Sequence, residues 1–572
     1  MQCAAAEALG RIGDEAGVQP LADALAHPTA SVRAAAARAL GAYGEHARPA
    51  VPALVPLLRD SDEDVRHAAG DALGRTGELP HEATAALVEG LANPDTHVQV
   101  QTAEALAKIG ETAAEAAPAL AAALENGNEL VRAKAADALG KMGETAAEAA
   151  VPTLIRALRD DDGWVSAVAA EALGEMGEAA EDAVPALVRS LSHISPLVRA
   201  RAAEALGKLN SAATPAVPAL ERAATDTDGG VREQALRALG AVVHGAEAEP
   251  LLLAGLRDPE PRVRAAAAEA VGKRGTPHAG ATAELVRLLD DANDEVKFRS
   301  IAALARVAGP LPEVIDGLCR RLTDDGSVWV RETAAQHLGA LGAPAASAGP
   351  ALLRAARTAE EALREQAVRA LILIRPPELE EALTGAMTDP SPAVRKVATA
   401  GWMKADAVPD AAVAVLVEAL RDPEVQVRAN AAHALGRLDA LPPAAVPGLT
   451  ECAAHPNDGL RLNAAVALRN APNATSTLAG LIGDPNSRVR LIAAGAVLAR
   501  TPDDAPATQA VAAALSDPSL RLRQVGFEVV AALGDRAGSF RAALAARATD
   551  ETDADLRARI AELLARLAPP AE

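Results

Sequence analysis

The chain has 572 residues and a formal net charge of -21 at pH 7. Hydrophobic residues make up 50% of it but aromatic residues only 1%, so the apolar residues are mostly helix-forming ones, and an aromatic-rich β-sandwich or β-barrel is excluded. The negative charge would repel phosphate backbones and anionic lipids, and the few aromatic rings cannot form a stacking row, so neither nucleic acid nor a membrane is expected as a partner.

Cysteine usage and the lack of targeting signals indicate the compartment. Cys3, Cys319 and Cys452 lie far apart and form no CxxC motif, a pattern typical of a reduced intracellular protein. The sequence shows neither a signal peptide nor an uninterrupted apolar run of membrane-spanning length. We therefore expect a cytoplasmic protein, and the excess of Arg over Lys with abundant Ala, Gly and Pro indicates a bacterial source.

One sequence unit recurs along the chain. Its clearest form, Val-Arg-x-x-Ala-Ala-x-Ala-Leu-Gly, occurs at residues 32–41, 131–140, 198–207 and 427–436. The apolar positions have helical spacing, and the Gly that often follows favours a helix end. The pattern predicts the second helix of a pair, preceded by a first helix such as residues 50–58 and an acidic turn.

This unit resembles the HEAT-like repeat of the phycobilisome-lyase type, and the resemblance covers essentially the whole chain. It implies an all-α fold, an α-solenoid with a right-handed superhelix of about seventeen helix pairs. In that family the second helices line the concave face. The repeat serves scaffolds, adaptors and a few enzymes alike, so the fold alone does not assign a function.

The N-terminal residues match only half of a repeat. Residues 1–10 align with the second helix, with Met1 in the Val position. Solenoids normally carry a polar cap on their terminal unit, and these residues do not resemble one. We therefore expect the natural reading frame to extend upstream of Met1.

Residues 1–310 are predicted to form an N-terminal set of repeats with a salt-bridged second-helix face. Acids follow the Ala-Ala pair, and six of them precede a base by four residues, a spacing that stabilises a helix by about 0.2–0.5 kcal/mol. An acidic groove for a basic protein segment is the alternative. The six pairs are Glu7 with Arg11, Asp71 with Arg75, Glu104 with Lys108, Asp137 with Lys141, Glu204 with Lys208, and Glu269 with Lys273.

The fifth repeat, counted from the one containing Val32, departs from this pattern. Trp164 precedes its Val, and Glu175 stands where a base would follow Glu171. Two unpaired acids four residues apart repel each other, so these residues are candidates for binding a Lys or Arg side chain or an amine, with Trp164 as a cation-π surface. Sequence drift is the alternative. Asp160 to Asp162 do not match a calcium loop, and no metal site is expected.

Residues 311–572 are predicted to form a C-terminal set with a neutral, polar second-helix face. Polar and large residues that break the pattern from the ninth repeat onward would suit a ligand pocket or a peptide groove. His337, and Trp402 beside Gly401, are alternatively explained by local repacking. The candidate binding residues are Arg299, in the ninth repeat just before this set, and Trp329, Thr333, Gln336, Gln366, Arg369, Asn430, His433 and Asn463 within it.

Known catalytic motifs are missing from the sequence. It contains no His pair at zinc spacing and no GxSxG, Walker A or GxGxxG motif. The sequence therefore predicts a non-enzymatic scaffold or adaptor that binds a protein partner and needs no cofactor. The alternative is a lyase- or cyclase-type enzyme without a metal that binds a small molecule in the groove, with Glu171, Glu175 or His433 as the acid or base.

The Arg of the motif recurs once per repeat, as does an acid in the turn. Such residues lie one above another in a stack of repeats, so we predict an inter-repeat ladder in which each Arg bonds an acidic turn of a neighbouring unit. Its members are Arg33, Arg66, Arg132, Arg199, Arg232 and Arg264.

Overall fold

The computed structural model describes residues 2–76, 81–243, 248–275, 279–405 and 407–567. Met1, on which the expected upstream extension depends, lies outside them. The described residues form 35 α-helices, several short 3₁₀ segments and no β-strand. Their contacts divide the chain into two compact units, Met1–Gly309 and Pro310–Glu572.

The first unit contains nineteen of these helices. They are α1 (Gln2–Ile12), α2 (Val18–Ala24), α3 (Ala30–Tyr43), α4 (Val51–Leu54), α5 (Glu63–Arg75), α6 (His81–Leu91), α7 (Thr96–Ile109), α8 (Ala117–Ala123), α9 (Glu129–Met142), α10 (Ala147–Ala157), α11 (Gly163–Glu175), α12 (Val184–Ser190), α13 (Pro196–Lys208), α14 (Val217–Ala223), α15 (Gly229–Val242), α16 (Glu249–Gly255), α17 (Pro261–Arg274), α18 (Ala279–Leu288) and α19 (Asp294–Val307).

The second unit contains the remaining described helices. They are α20 (Pro312–Asp324), α21 (Val328–Leu341), α22 (Gly349–Ala355), α23 (Glu361–Ile374), α24 (Leu379–Ala386), α25 (Pro392–Lys404), α26 (Asp410–Ala419), α27 (Val425–Leu435), α28 (Ala445–Ala453), α29 (Asp458–Leu468), α30 (Thr475–Leu481), α31 (Ser487–Leu498), α32 (Ala505–Leu515), α33 (Leu520–Ala532), α34 (Arg541–Asp550) and α35 (Ala554–Arg566).

Even-numbered helices are the first helices of the pairs and odd-numbered helices are the second. Within the described residues, seventeen pairs follow α1. In both units a second helix packs against its own first helix and against neighbouring second helices, as α13 does with α12, α11 and α15, and α27 with α26, α25 and α29. Each unit is therefore an α-solenoid, which confirms the predicted all-α fold of about seventeen pairs.

Small residues set the distance between neighbouring second helices. A Cβ added to Gly140, at the end of the motif in α9, would lie 2.8 Å from Cα of Ala172 in α11. A larger residue would therefore push the two helices apart. Helix α23 breaks this rule because it carries Ile372 in the Gly position, and α25 compensates with Gly401 in the Ala position.

The motif Arg joins consecutive turns. Arg132 donates from Nε and Nη2 to the carboxylate of Asp160 at 2.7 and 2.8 Å, and from Nη1 to the carbonyl of Asn126 in its own turn at 2.9 Å. Asp160 also accepts the backbone N–H of Asp162 at 2.9 Å. This confirms the predicted ladder, because the same two-bond pairing recurs in Arg33–Asp60, Arg199–Asp226, Arg232–Asp258, Arg264–Asp291, Arg364–Asp389, Arg395–Asp422, Arg461–Asp484 and Arg523–Glu551.

Where the next turn has Asn at the position equivalent to Asp160, as in Asn93 and Asn126, the ladder residue changes its role. Arg66 donates to the carbonyl of Asp60 in its own turn at 2.8 Å, and its buried Nε has no hydrogen-bond partner in the described part of the chain. Gln99 stands in the Arg position of the next repeat and accepts from the side-chain amide of Asn126 at 3.2 Å. Arg66 is therefore an exception to the predicted pairing, whereas Gln99 and Asn126 form a neutral rung.

Replacing Arg132 by Ala should destabilise the first unit. The Arg132 and Asp160 side chains are only 16% and 11% exposed, so the loss of this charged pair should cost about 1–3 kcal/mol of unfolding free energy. Urea and thermal unfolding followed by circular dichroism measure this. Arg156→Ala is the matched control, because Arg156 and its partner Glu125 are 60% and 69% exposed and such pairs contribute little. Equal melting of Arg132→Ala and wild type would contradict the ladder.

Acid should weaken the ladder. The hydrogen bond from Arg132 holds the pKa of Asp160 below its usual range, and Arg523 lowers the pKa of Glu551 to about 2. Because these pKa values are lower in the folded state, the stabilisation is complete above the unfolded-state values and is lost as pH falls through the folded-state values. Urea midpoints should therefore fall between about pH 5 and pH 2, and the difference between wild type and Arg132→Ala should shrink. A constant difference over this range would contradict the prediction.

Candidate functional site

Three consecutive second helices expose a large apolar side chain at the same position. Leu130 in α9, Trp164 in α11 and Leu197 in α13 each stand directly before the buried Val of the motif and are 39%, 43% and 47% exposed. We call these three residues the apolar row. Ile194, in the turn before α13, is 92% exposed beside it in sequence.

Local sequence explains why the row points outward. The motif Val165 is buried, and Trp164 lies a third of a helical turn away from it. Asp162 caps α11 by accepting the Trp164 backbone N–H at 2.7 Å, so the first turn of the helix is fixed. Residues four, seven and eleven positions later lie on the same face, which places Glu171 and Glu175 on the face of Trp164.

The expectation that Glu171 and Glu175 lack partners is wrong. Arg201 Nε in α13 lies 3.4 Å from Glu171 Oε2, and Lys208 Nζ lies 2.8 Å from Glu175 Oε1. Arg201 and Lys208 also contact Glu204 at 2.7 and 3.0 Å. Arg201 and Lys208 belong to the neighbouring helix α13, so the sequence pattern of α11 alone did not reveal them as partners.

Hydrogen bonds dominate the electrostatics of this cluster. Burial alone would raise the pKa of Glu204, but the hydrogen bonds from Lys208 and Arg201 outweigh it and hold that pKa below its usual range. Burial would likewise lower the pKa of Lys208, and its bonds to Glu175 and Glu204 raise it instead. Glu204 and Lys208 are therefore both ionised and paired with each other at neutral pH.

Other charges on the second helices of the first unit also pair, often between repeats. Two of the six expected in-helix pairs are present, Glu204–Lys208 at 3.0 Å and Glu269–Lys273 at 2.9 Å. Contacts between repeats include Lys108–Asp71 at 3.1 Å and Lys134–Glu104 at 2.9 Å.

The candidate residue Arg299 lies in the first unit. It contacts Glu295 at 2.7 Å and Glu269 at 3.7 Å, and its guanidinium lies 5.6 Å from the ring centroid of Phe298. These contacts neutralise its charge within α19 and toward α17. A ligand would have to compete with them.

Three candidate residues of the second unit bond to backbone or side-chain groups of the protein itself. Thr333 Oγ1 donates to the carbonyl of Trp329 at 2.8 Å, and Asn463 Nδ2 donates to the carbonyl of Ala429 at 2.9 Å. Buried Asn430 donates to Thr399 Oγ1 at 3.2 Å. The two Asn residues thus join neighbouring second helices.

The other candidates of the second unit differ in exposure. Trp329 is 43% exposed, as Trp164 is, and Gln336 is also exposed, whereas Gln366 and His433 are half-buried. Arg369 is exposed and bonds Glu365 through Nε at 3.0 Å.

Buried titratable groups of the second unit are poorly suited to nucleophilic or acid–base chemistry. Burial raises the pKa of the Cys319 and Cys452 thiols to about 11, so both are protonated at neutral pH and react slowly. Burial lowers the pKa of His337, whose Nδ1–H donates to the carbonyl of Thr333 at 2.8 Å. His337 is therefore a neutral, packed side chain.

A surface groove lies between α23 and α25, where Ile372 occupies the Gly position. It consists of two adjoining hollows of about 300 and 560 Å³ that share Ile372, Leu373, Gly401 and Lys404. We call them together the α23–α25 groove. Of the predicted site residues, Arg369 lines it. Lys396 and Lys404 were missed, although a large residue in the Gly position was a signal in the sequence.

The described part of the chain lacks two further kinds of site or segment. No group of three or more His, Cys, Asp or Glu residues there is placed to hold a metal ion. None of its helices combines the length and the apolar character needed to cross a membrane.

Solved structures share this fold. Kap95p, in a complex in which it induces the switch loops of RanGDP to adopt the GTP-bound conformation, is 15% identical, with a TM-score of 0.62 over 99% of this chain and 86% of Kap95p. Yeast importin-β (Kap95p) is 14% identical, with a TM-score of 0.53 over 96% of this chain and 89% of that one. At such identities the likeness establishes the fold alone. Curated protein sequences show no significant match.

A family model covers most of the chain. The model for HEAT repeats matches in seven overlapping segments that together span residues 1–371, and in one separate segment over residues 397–469. These segments contain helices α1 to α22 and α26 to α29, the Gly140–Ala172 contact and the Arg ladder from Arg33 to Arg264. The chain belongs to the family of HEAT repeat proteins.

Proposed function

We propose that this protein is a non-enzymatic scaffold or adaptor that binds a protein partner on its second-helix face. The observation that carries the proposal is the apolar row of Leu130, Trp164 and Leu197. With Ile194, it accounts for four of the eight large hydrophobic side chains that are exposed in the described residues. Clustered exposed apolar residues mark interaction surfaces, whereas isolated ones are common on any protein.

The spacing of the row fits a helical partner. Neighbouring packed helices lie about 8–10 Å apart, so the three side chains recur at about that interval. Seven residues of an α-helix rise about 10.5 Å. A partner helix lying across α9, α11 and α13 would therefore meet the row with apolar residues at positions i, i+7 and i+14.

Charges around the row favour a partner with basic flanks. On one side, Glu171, Glu175 and Glu204 are already paired with Arg201 and Lys208. On the turn side, Glu129 and Asp161 are exposed. A Lys or Arg of the partner would gain most beside these exposed acids, which makes an amphipathic helix with basic flanks the best-matched partner.

Trp164 is expected to be the energetic centre of this surface. Aromatic residues bury about 150–250 Å² each and are frequent hot spots at interfaces. Trp164 also lies in the middle of the row, with a Leu on each side. Its truncation should therefore cost more binding than the truncation of either flanking Leu.

Kap95p, which has the same fold, binds RanGDP, and we extend only the general property of protein binding to this chain. We also propose, from the repeat motif, that the repeats are of the phycobilisome-lyase HEAT-like type. The cysteine pattern and composition support a cytoplasmic protein of bacterial origin.

Trp164→Ala should abolish or strongly weaken partner binding. The protein, purified gently from its own host and analysed by native mass spectrometry, should retain a polypeptide that the variant loses. Once the partner is identified, titration calorimetry should show a dissociation constant raised roughly 30-fold or more.

Trp329→Ala is the matched control. Trp329 has the same helix position and the same 43% exposure, but the corresponding residue of the next repeat is Ala362. This control should retain the partner. Equal loss from both variants, or retention by both, would contradict the proposed site.

A further inference from the structure

The α23–α25 groove has a chemistry that the proposed protein-binding face does not use. Ile372 and Leu373 from α23 and Val397 and Gly401 from α25 provide an apolar lining. Leu373 is 60% exposed. A Cβ at Gly401 would lie 2.7 Å from Leu383 Cδ2 and 3.0 Å from Ile372 Cδ1, so glycine is what keeps room for Ile372 here.

The groove is cationic although the chain as a whole is strongly acidic. Arg369, Lys396 and Lys404 line one hollow, and Arg375 and Lys404 line the other. Glu380 is the single acid among the described lining residues. The described residues therefore give the groove an excess of positive charge.

Two of these cations are available to a ligand. Arg369 bonds Glu365 at 3.0 Å, and Arg375 Nη2 donates to the carbonyl of Lys404 at 3.2 Å. Lys396 and Lys404 are exposed and have no ion-pair partner among the described residues. Their ammonium groups can therefore turn toward an anion without breaking an existing pair.

An independent observation is the unpaired donor of Trp402. This residue lines the second hollow and is only 1% exposed. Its indole Nε1 is buried and makes no hydrogen bond with any residue that the structure describes. Leaving such a donor unpaired costs free energy, and buried Trp side chains usually find an acceptor.

We propose that the α23–α25 groove binds a small monocarboxylate with an apolar chain or ring. One carboxylate oxygen accepts from Trp402 Nε1, and the other interacts with the ammonium groups of Lys404 and Lys396. The apolar part packs on Ile372, Leu373 and Val397. One neutral donor and two lysines match a monoanion better than a phosphate dianion, which is typically held by several backbone N–H groups or by arginine forks.

The direct test follows the Trp402 indole N–H by nuclear magnetic resonance. The chain has three Trp residues, so full-length protein labelled with [15N]Trp gives three indole signals. The signal that is missing from the spectrum of Trp402→Phe belongs to Trp402. Sodium octanoate should shift the Trp402 signal and leave those of Trp164 and Trp329 in place. Octan-1-ol has the same chain without the charge, and its affinity should be lower than that of octanoate by roughly tenfold or more.

Variants separate the contributions of charge and shape. Lys404→Gln should weaken octanoate binding roughly tenfold and leave octanol binding unchanged. Lys141→Gln is its control, because Lys141 is exposed at the same position of α9. Ala400→Phe, which fills the groove from a partly exposed position, should abolish binding of both ligands, and Ala302→Phe at the same position of α19 should not.

Three results would overturn the proposal. They are equal binding of octanol and octanoate, octanoate binding without a shift of the Trp402 signal, and equal affinity of Lys404→Gln and wild type. Thermal melts of each variant show whether the fold is kept. None of these variants touches the apolar row, so failure here leaves the proposed protein-binding function standing.

Discussion

The close approach of neighbouring second helices governs the chemistry of this protein. Gly at the end of the motif faces Ala of the next repeat, as in Gly140 with Ala172, where an added Cβ would lie within 2.8 Å of the opposite Cα. Because the helices approach so closely, side chains 33 or so residues apart in sequence become neighbours. The Arg ladder at the turns, the paired charges around Glu204 and the apolar row all depend on this spacing.

The same constraint explains why the two candidate sites differ. At α9 to α13 the small-residue contacts are kept, so the surface is regular and exposes a repeating row suited to an extended partner. At α23 and α25 the large and small residues are exchanged between helices, as Ile372 and Gly401. The regular surface is interrupted there by a groove, and one of its lining residues is Trp402, whose buried indole N–H has no partner among the described residues.

The sequence was sufficient to predict the features that recur in the same form from repeat to repeat. The helix pairs and the Arg132–Asp160 type of contact follow from a fixed spacing, so the motif alone was sufficient. The motif did not predict contacts between positions whose residues differ from repeat to repeat. The partners of Glu171 and Glu175 lie on α13, and the side-chain amide of Asn463 donates to the Ala429 carbonyl. Ligand binding by Asn463 stays a prediction. To predict such contacts, the residues of two neighbouring repeats have to be compared position by position.

The groove illustrates the same limit. Gly401 and Trp402 break the sequence pattern, but the structural role of Gly401 is to make room for Ile372, 29 residues earlier. Lys396 and Lys404 lie beside a hollow. The hollow exists because Ile372 in the Gly position of α23 faces Gly401 in the Ala position of α25. The different chemistry of the second helices before and after residue 310 stays a prediction of the sequence.

We propose that the regular helix spacing presents the apolar row to a helical partner. Site-specific photo-crosslinking in the native host tests it most directly, with benzoylphenylalanine at position 164 and, as the control, at position 329. We expect one abundant crosslinked polypeptide from position 164, joined through a segment whose apolar residues recur every seven positions. Equal crosslinking from both positions, or attachment to a segment without that spacing, would contradict it.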